Sequence, residues 1–467
     1  GGHDVGADQA LRRLVEWFGV ESVFVELQDN YVFGDRPRNR ALVALAERVG
    51  VGVVGTGNVH YHEQERHRLQ DVMVAIRHRK TLDECHRERR PNAEFYLRSP
   101  DEQARRFATI HPQAAANSVR IARRCRFDLT ADLGYRLPSP RLEEGDESAI
   151  EQLGRICRER MEERYGLSSQ EQREDAEARL AKELRLVEKH DLAGFFLIYH
   201  QIFQLAHEVA VEIRGPSAGR NQANLPPGRG RGSSVSSIIC YLIGLSHIDP
   251  VKNNLFIGRF LNEEMHSFPD IDLDFARDIR AELIERVYDV WGKDHAALVA
   301  TFPSYRLRSA VRDIGKALGL PAAELDRIAK GVGPYSHASE TGEEMLRTPG
   351  SADRAEARGW RELAELASQL AGFPRHMSQH PGGMVISSEP LIDYVPCQPA
   401  AWKNRYLCHW DKDSIDDARM VKIDFLALGM LSVVEEAVDL VERHDGVALD
   451  LTRIDFDDTE VYDGICR

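Results

Sequence analysis

Apolar positions recur every three to four residues over 9–18, 39–49 and 69–79, and short β-branched runs fill 22–27 and 51–54. The first spacing is that of a helix with one face in a core, the second that of buried strands. The chain therefore opens as alternating helix and strand, part of a parallel α/β unit. Gly, Pro and Ser cluster over 133–140 and mark a boundary. Beyond it, 147–165 and 172–189 are amphipathic and highly charged, the pattern of solvated helices, and 200–213 continues helically. The pattern then predicts a helix over 234–245, a strand over 268–275, a helix over 279–291, a strand over 297–302 and a helix over 306–318. A mostly helical region covers 322–370. Strands follow at 383–387, 406–409 and 421–425, and a helix at 428–442. No internal repeat interrupts this order.

Composition narrows the class. Of 467 residues, 42% are hydrophobic and 29% charged, as in ordinary globular proteins, which excludes a disordered chain and a coiled coil. The longest apolar stretches, 193–198 and 238–245, are too short to span a bilayer, so no membrane partner is expected. Seven scattered cysteines without a C-x-x-C pair argue against a zinc ribbon or a disulfide framework and fit a reduced, cytoplasmic setting. The start at Gly1 and the stop at Arg467 read as cuts through a longer protein. The net charge, 61 − 75 = −14, argues at first against nucleic acid. Its distribution does not: no Asp or Glu occurs from Ile213 to Ile248, where Arg214, Arg220, Arg229 and Arg231 stand, and local field matters more than net charge.

The strongest chemistry lies in Pro269-Asp270-Ile271-Asp272-Leu273-Asp274-Phe275. On a strand the three Asp share one face and the three apolar residues the other. Aligned carboxylates repel and call for a cation, Mg²⁺ being the natural one because it takes carboxylate and phosphate oxygens. A solvated edge face would carry the same pattern. A calcium loop does not fit, since Phe275 stands at the turn-glycine position and Ala281 at the closing-glutamate position. A further carboxylate, Asp424, shares a face with Lys422 on the 421–425 strand; a surface ion pair is the alternative. Upstream, Gly228-Arg229-Gly230-Arg231-Gly232-Ser233-Ser234 leads into the predicted helix. Glycines and a helix N-terminus can cradle phosphate, while Ser233 or Ser234 could instead cap the helix. This is neither a P-loop nor a dinucleotide fingerprint. Loop and carboxylate strand together suggest a nucleotidyltransferase palm.

The order of G-R-G-S-S, Phe256-Ile257-Gly258-Arg259-Phe260-Leu261-Asn262, P-D-I-D-L-D-F, His380-Pro381-Gly382-Gly383-Met384-Val385-Ile386-Ser387, Trp410-Asp411-Lys412-Asp413 and V-K-I-D-F-L resembles the alpha subunit of bacterial DNA polymerase III, the C-family polymerases. Ser304-Tyr305-Arg306-Leu307-Arg308-Ser309-Ala310 looks more like the error-prone branch than the replicative one. The resemblance implies a multidomain α/β and α+β fold. Residues 1–138 would be the C-terminal part of a PHP (polymerase and histidinol phosphatase) (β/α) barrel. A polymerase-beta-like palm would cover 139–301 and 380–429, a helical thumb 302–379, and the start of the fingers 430–467. It implies primer extension with dNTPs in damage-tolerant synthesis, using two Mg²⁺. Asp270, Asp272 and Asp424 would be catalytic metal ligands; Gly232, Ser233, Arg259 and Lys422 would bind the nucleotide. Arg306, Arg308, Arg312 and Lys316 could grip DNA. Primer–template DNA is the implied partner, with a sliding clamp and other damage-tolerance proteins reached through a C-terminal region beyond residue 467. Without fingers, residues 1–467 alone are expected to extend primers poorly. Asn58 stands where the barrel family has a metal-binding Asp, so a metal site at Asn58-Val59-His60 is not expected. The loop 215–227 is longer than the family's usual lead-in. The alternatives are a replicative alpha subunit, a stand-alone polymerase-beta-type nucleotidyltransferase, a phosphoesterase acting through the first segment, and a non-catalytic nucleic-acid scaffold.

Overall fold

The computed structural model describes residues 2–136, 147–215, 228–265, 268–269, 271–331, 358–427, 429–447, 449 and 458–466. The chain forms two units, one of Gly1–Phe127 with Pro303–His376 and the other of Asp128–Phe302 with Met377–Arg467. Both mix helices with strands, as the hydrophobic pattern predicts.

In the first unit, strands β1 (Phe24–Gln28) and β2 (Gly52–Thr56) pair in parallel, with the helix Asp35–Val49 between them in sequence. That helix ends at Gly50, whose φ of 81° is the left-handed conformation favoured at helix C-termini. Val25, Leu27, Val53, Phe107 and Ala114 make the local core. A second core joins distant stretches of sequence. Leu69, Val72 and Ala75 of the helix His67–His78 pack with Leu307, Val311 and Ile314 of the helix Leu307–Ala317 and with Leu363 and Leu370 of Arg358–Leu370. The backbone joins there too, Leu82 N–H donating to Ala317 O at 2.8 Å.

The second unit is built on a seven-stranded sheet, ordered β3-β4-β9-β6-β5-β8-β7. Its strands are β3 (Gly228–Arg231), β4 (Asp272–Phe275), β5 (Ala296–Thr301), β6 (Ser378–Ile386), β7 (Cys397–Pro399), β8 (Tyr406–Cys408) and β9 (Lys422–Ala427). The β4–β9 and β5–β8 pairs are parallel and the others antiparallel. One face of the central strands carries Leu273, Phe275, Met384, Ile386, Ile423 and Phe425, all buried against the helices Ala193–Arg214 and Arg277–Trp291. Phe275 stacks on Phe425 with centroids 5.9 Å apart and touches Phe203 at 5.6 Å.

Three sequence expectations change. The single helix over 234–245 is a 3₁₀ turn, Gly232–Ser236, followed by a short helix, Ile238–Leu242. Gly228–Arg231, read as loop, is a strand because β4 supplies its backbone partners. The carboxylate strand begins only at Asp272.

Phe275 is fully buried between Phe203 and Phe425. Phe275→Ala removes that packing and leaves a cavity, so we expect a loss of about 3–5 kcal/mol. Urea denaturation of the chain measures it, as a lower midpoint with little change in slope.

Candidate active site

The face of the sheet opposite the aromatic core carries the charged residues. Paired residues on adjacent strands point to the same side, so register decides which of them meet. Arg231 pairs with Asp272, Asp272 with Asp424, and Asp424 with Gly383. These four form one row across β3, β4, β9 and β6. Two residues on along β4, Asp274 pairs with Arg229, and two residues back along β9, on the other side of the row, Lys422 pairs with Val385, both on the same face. Asp272 keeps 36% of its side chain exposed, whereas Asp424 and Asp274 keep 6% and 4%.

Each carboxylate has cationic neighbours. Lys422 Nζ donates to Asp424 Oδ2 at 2.7 Å. Arg231 spans Asp272 Oδ2 at 3.4 Å and Asp274 Oδ2 at 3.5 Å. Burial pushes the Asp274 carboxyl above the ordinary Asp value, with Arg231 pulling it back. Asp424 Oδ1 and Asp274 Oδ1 are buried without a hydrogen-bond partner. His380 does not supply one to Asp424. Its Nδ1 lies 3.6 Å from Asp424 Oδ1, but accepts the N–H groups of Gly382 at 3.2 Å and Gly383 at 2.6 Å. A nitrogen that accepts carries no proton to donate, and burial lowers the His380 pKa, which favours that neutral form.

An unsatisfied, buried carboxylate oxygen beside a second, accessible carboxylate fits a hard divalent cation, whose preferred donors are oxygens. Among the described residues no group of three or more His, Cys, Asp or Glu side chains is placed to hold a metal ion. Asp270 lies outside the described residues. Beside Lys422 opens a cavity of about 750 Å³, lined also by His190, Phe268, Pro269, Lys412 and Arg419. That is room for a nucleotide-sized ligand.

The glycine–serine loop departs from its sequence reading. The N-terminus of the helix Ile238–Leu242 is filled from within. Glu183 accepts the N–H groups of Ile238 at 3.0 Å and Ile239 at 3.2 Å, and Ser237 Oγ caps the N–H of Cys240. Neither Ser233 nor Ser234 is the cap; Ser234 Oγ donates to Arg231 O and Ser236 Oγ to Ser233 O. An anion therefore has to meet the preceding turn rather than the helix end. There Gly232, at φ +76° and with open space where a Cβ would point, is exposed and Ser233 half-buried.

A family model described as the bacterial DNA polymerase III alpha NTPase domain matches residues 151–427, which hold all of these groups. The chain belongs to the bacterial DNA polymerase III alpha family. It is 36% identical over 454 residues to error-prone DNA polymerase 2 of Agrobacterium fabrum, an alignment covering 97% of this chain and 39% of that protein. Against the error-prone DNA polymerase of Mycolicibacterium paratuberculosis the identity is 36%, over 100% of this chain and 40% of the relative. Against that of Pseudomonas fluorescens it is 34%, over 98% and 42%. The chain thus spans about two fifths of the length of these relatives.

Other nominated residues of this polymerase III alpha-family chain fall as follows. Arg259 is exposed at the end of the 3₁₀ turn Ile257–Arg259. Arg306, Arg308 and Lys316 are exposed in the first unit, and Arg312 is held by Asp326 Oδ1 at 3.0 Å. His60 has its Nε2 buried without a hydrogen-bond partner and its ring against Phe95. Asn58 takes a left-handed φ of 46°, which Asn tolerates. Arg220 and most of the loop 215–227 lie outside the described residues. Arg214, counted in the basic run, is 2% exposed and locked onto Asp278 at 2.8 Å and Glu435 at 2.9 Å, so it is structural. Among the described residues, no helix is long and apolar enough to cross a membrane. The seven cysteines are all free.

Arg231 and Gly383 join the site beyond the residues that the sequence nominates; the i, i+2 spacing of Arg229 and Arg231 is the available signal for a strand. A Cβ on Gly383 would lie 2.8 Å from His380 Nδ1 and 3.1 Å from Asp424 Oδ1. Gly383→Ala should therefore displace one of them and cost about 1–3 kcal/mol by overcrowding. Thermal denaturation checks the cost, and an unchanged melting temperature would contradict the crowding.

Proposed function

We propose that this chain is the catalytic part of an error-prone DNA polymerase, adding dNTPs to a primer 3′-hydroxyl by phosphoryl transfer during damage-tolerant synthesis. The carrying observation is the register that sets Asp272 opposite Asp424 on adjacent parallel strands, with Asp424 Oδ1 left unpaired. Such strands lie about 4.8 Å apart, so two carboxylates can reach one cation. The relatives named error-prone DNA polymerase support the branch. In this reading the seven-stranded sheet and its helices are the palm, 139–301 and 380–429; residues 302–379 are the thumb, 1–138 part of a PHP barrel, and 430–467 the start of the fingers. Substrates are dNTPs and primer–template DNA.

Asp272 and Asp424, with Asp270, would hold Mg²⁺, two ions in the active complex. When bound, Mg²⁺ neutralises charge on the phosphates and lowers the pKa of the primer hydroxyl. The chain's own contribution is placement. The sheet fixes the carboxylate row, so little reorganisation accompanies reaction. Lys422, held on Asp424, keeps a cation beside the attacked phosphate. Arg231 balances Asp272 and Asp274 before substrate arrives, and at 49% exposure is free to turn toward the triphosphate. Gly232 and Ser233 would offer backbone and hydroxyl donors to the β,γ-phosphates, and Arg259 its charge. Arg306, Arg308, Arg312 and Lys316 would contact the DNA backbone, Arg312 by exchanging Asp326 for phosphate.

Primer extension by the full-length protein carrying Asp272→Asn tests this. Loss of about 3 kcal/mol of charge stabilisation corresponds to roughly a 100-fold slower incorporation. Extension near the wild-type rate would remove Asp272 from the metal set.

A further inference from the structure

One turn of the helix Gln170–Lys189 grips both segments that the proposed nucleotide site uses. Glu183 is fully buried and accepts three hydrogen bonds from the segment 237–239: Ser237 Oγ at 2.7 Å, Ile238 N–H at 3.0 Å and Ile239 N–H at 3.2 Å. Four residues earlier, Arg179 donates to Ser236 O and to Leu255 O, each at 2.5 Å, and to Pro250 O at 3.4 Å. Its Nε also reaches Glu183 Oε1 at 3.4 Å. Ser236 closes the turn that begins at Gly232, and Leu255 stands two residues before the turn Ile257–Arg259. The two side chains therefore join the loop of Gly232 and Ser233 to the turn that ends in Arg259.

A carboxylate buried to this degree is stable only when its acceptor sites are filled, and the guanidinium fork bonds several carbonyls in one plane. Neither side chain touches the carboxylate row of the sheet. Their bonds run to the stretch between the proposed phosphate ligands, to Ser236, Ser237, Ile238 and Ile239 after Gly232–Ser233 and to Pro250 and Leu255 before Arg259. An error of about 1 Å in such placement can cost a large factor in rate.

We propose that Arg179 and Glu183 are positioning residues for the incoming nucleotide, fixing Gly232–Ser233 and Arg259 in the relative arrangement that takes the triphosphate. This rests on the assignment of those three residues to nucleotide binding. It is tested by single-nucleotide incorporation with the full-length polymerase carrying Arg179→Lys or Glu183→Gln, both chosen to retain a polar group. The expected result is a dNTP KM raised on the order of 10-fold or more in the folded variants, with primer–template Kd unchanged. A fall in kcat that follows the folded fraction, at unchanged dNTP KM, would overturn it, because a merely structural role predicts that pattern. If Glu183→Gln does not fold, Arg179→Lys decides alone. Ser233→Ala and Arg259→Ala separate the two levels. If they raise the dNTP KM while Arg179→Lys and Glu183→Gln do not, only the positioning role fails. If they too leave it unchanged, the nucleotide-site assignment fails and the positioning role with it.

Discussion

The parallel pairing of β4 with β9 sets two carboxylates, Asp272 and Asp424, directly beside each other. Like charges opposite one another on neighbouring strands destabilise a sheet. Asp424 is almost entirely buried, which raises the cost further. The surrounding residues answer that constraint. Lys422 takes one oxygen of Asp424, and Arg231 lies against Asp272 and Asp274. Gly383 opposes Asp424 because a side chain there would collide with its carboxylate. On the reverse face, Phe275 and Phe425 stack and hold the two strands rigid. Apolar burial behind the sheet thus stabilises an electrostatically unfavourable arrangement in front of it, as expected where a site is built for a ligand that completes its charge balance.

Much of this was legible in the sequence, and the limits are physical. Period-two alternation around Asp272 and Asp424 placed both on strands with apolar partners on the other face, and the structure has them so. Their adjacency was not readable from periodicity, because register between strands over 150 residues apart in sequence is set by tertiary packing. Gly228–Arg231 reads as loop because Gly weakens strands and Arg carries no strand signal of its own. Pairing with β4 overrides that local preference. The expected helix over 234–245 breaks at Ser236 and Ser237, whose hydroxyls bond the backbone locally and so favour turns and caps over helix interiors.

Charge illustrates a different limit. Arg214 and Arg231 stand in the same acid-free run, yet one is sealed in an ion-pair cluster and the other flanks the carboxylates. Sequence gives the sign of a residue and not its surroundings. The same holds for helices of the first unit. Leu307–Ala317 has a clear apolar stripe, but that the stripe is covered partly by His67–His78, far earlier in the chain, follows only from the fold. Arg308, Arg312 and Lys316 recur every four residues along that helix and so lie along one side of it.

The net charge of −14 therefore says little about the site, whose own balance differs. The described charged face carries Asp272, Asp274 and Asp424 against Arg229, Arg231 and Lys422, three acids to three bases. With Asp270 added from the sequence the excess is one acid. Divalent cations alone would leave this partly buried surface positive, and a polyphosphate alone would leave it negative. Both together restore balance. Burial makes either imbalance costly, since charges in a low-dielectric setting interact strongly over the few ångströms between strands. On the polymerase reading, this favours cation and nucleotide arriving as a pair, and gives the paired Arg231 and Lys422 the role of holding the empty site near neutrality until they do.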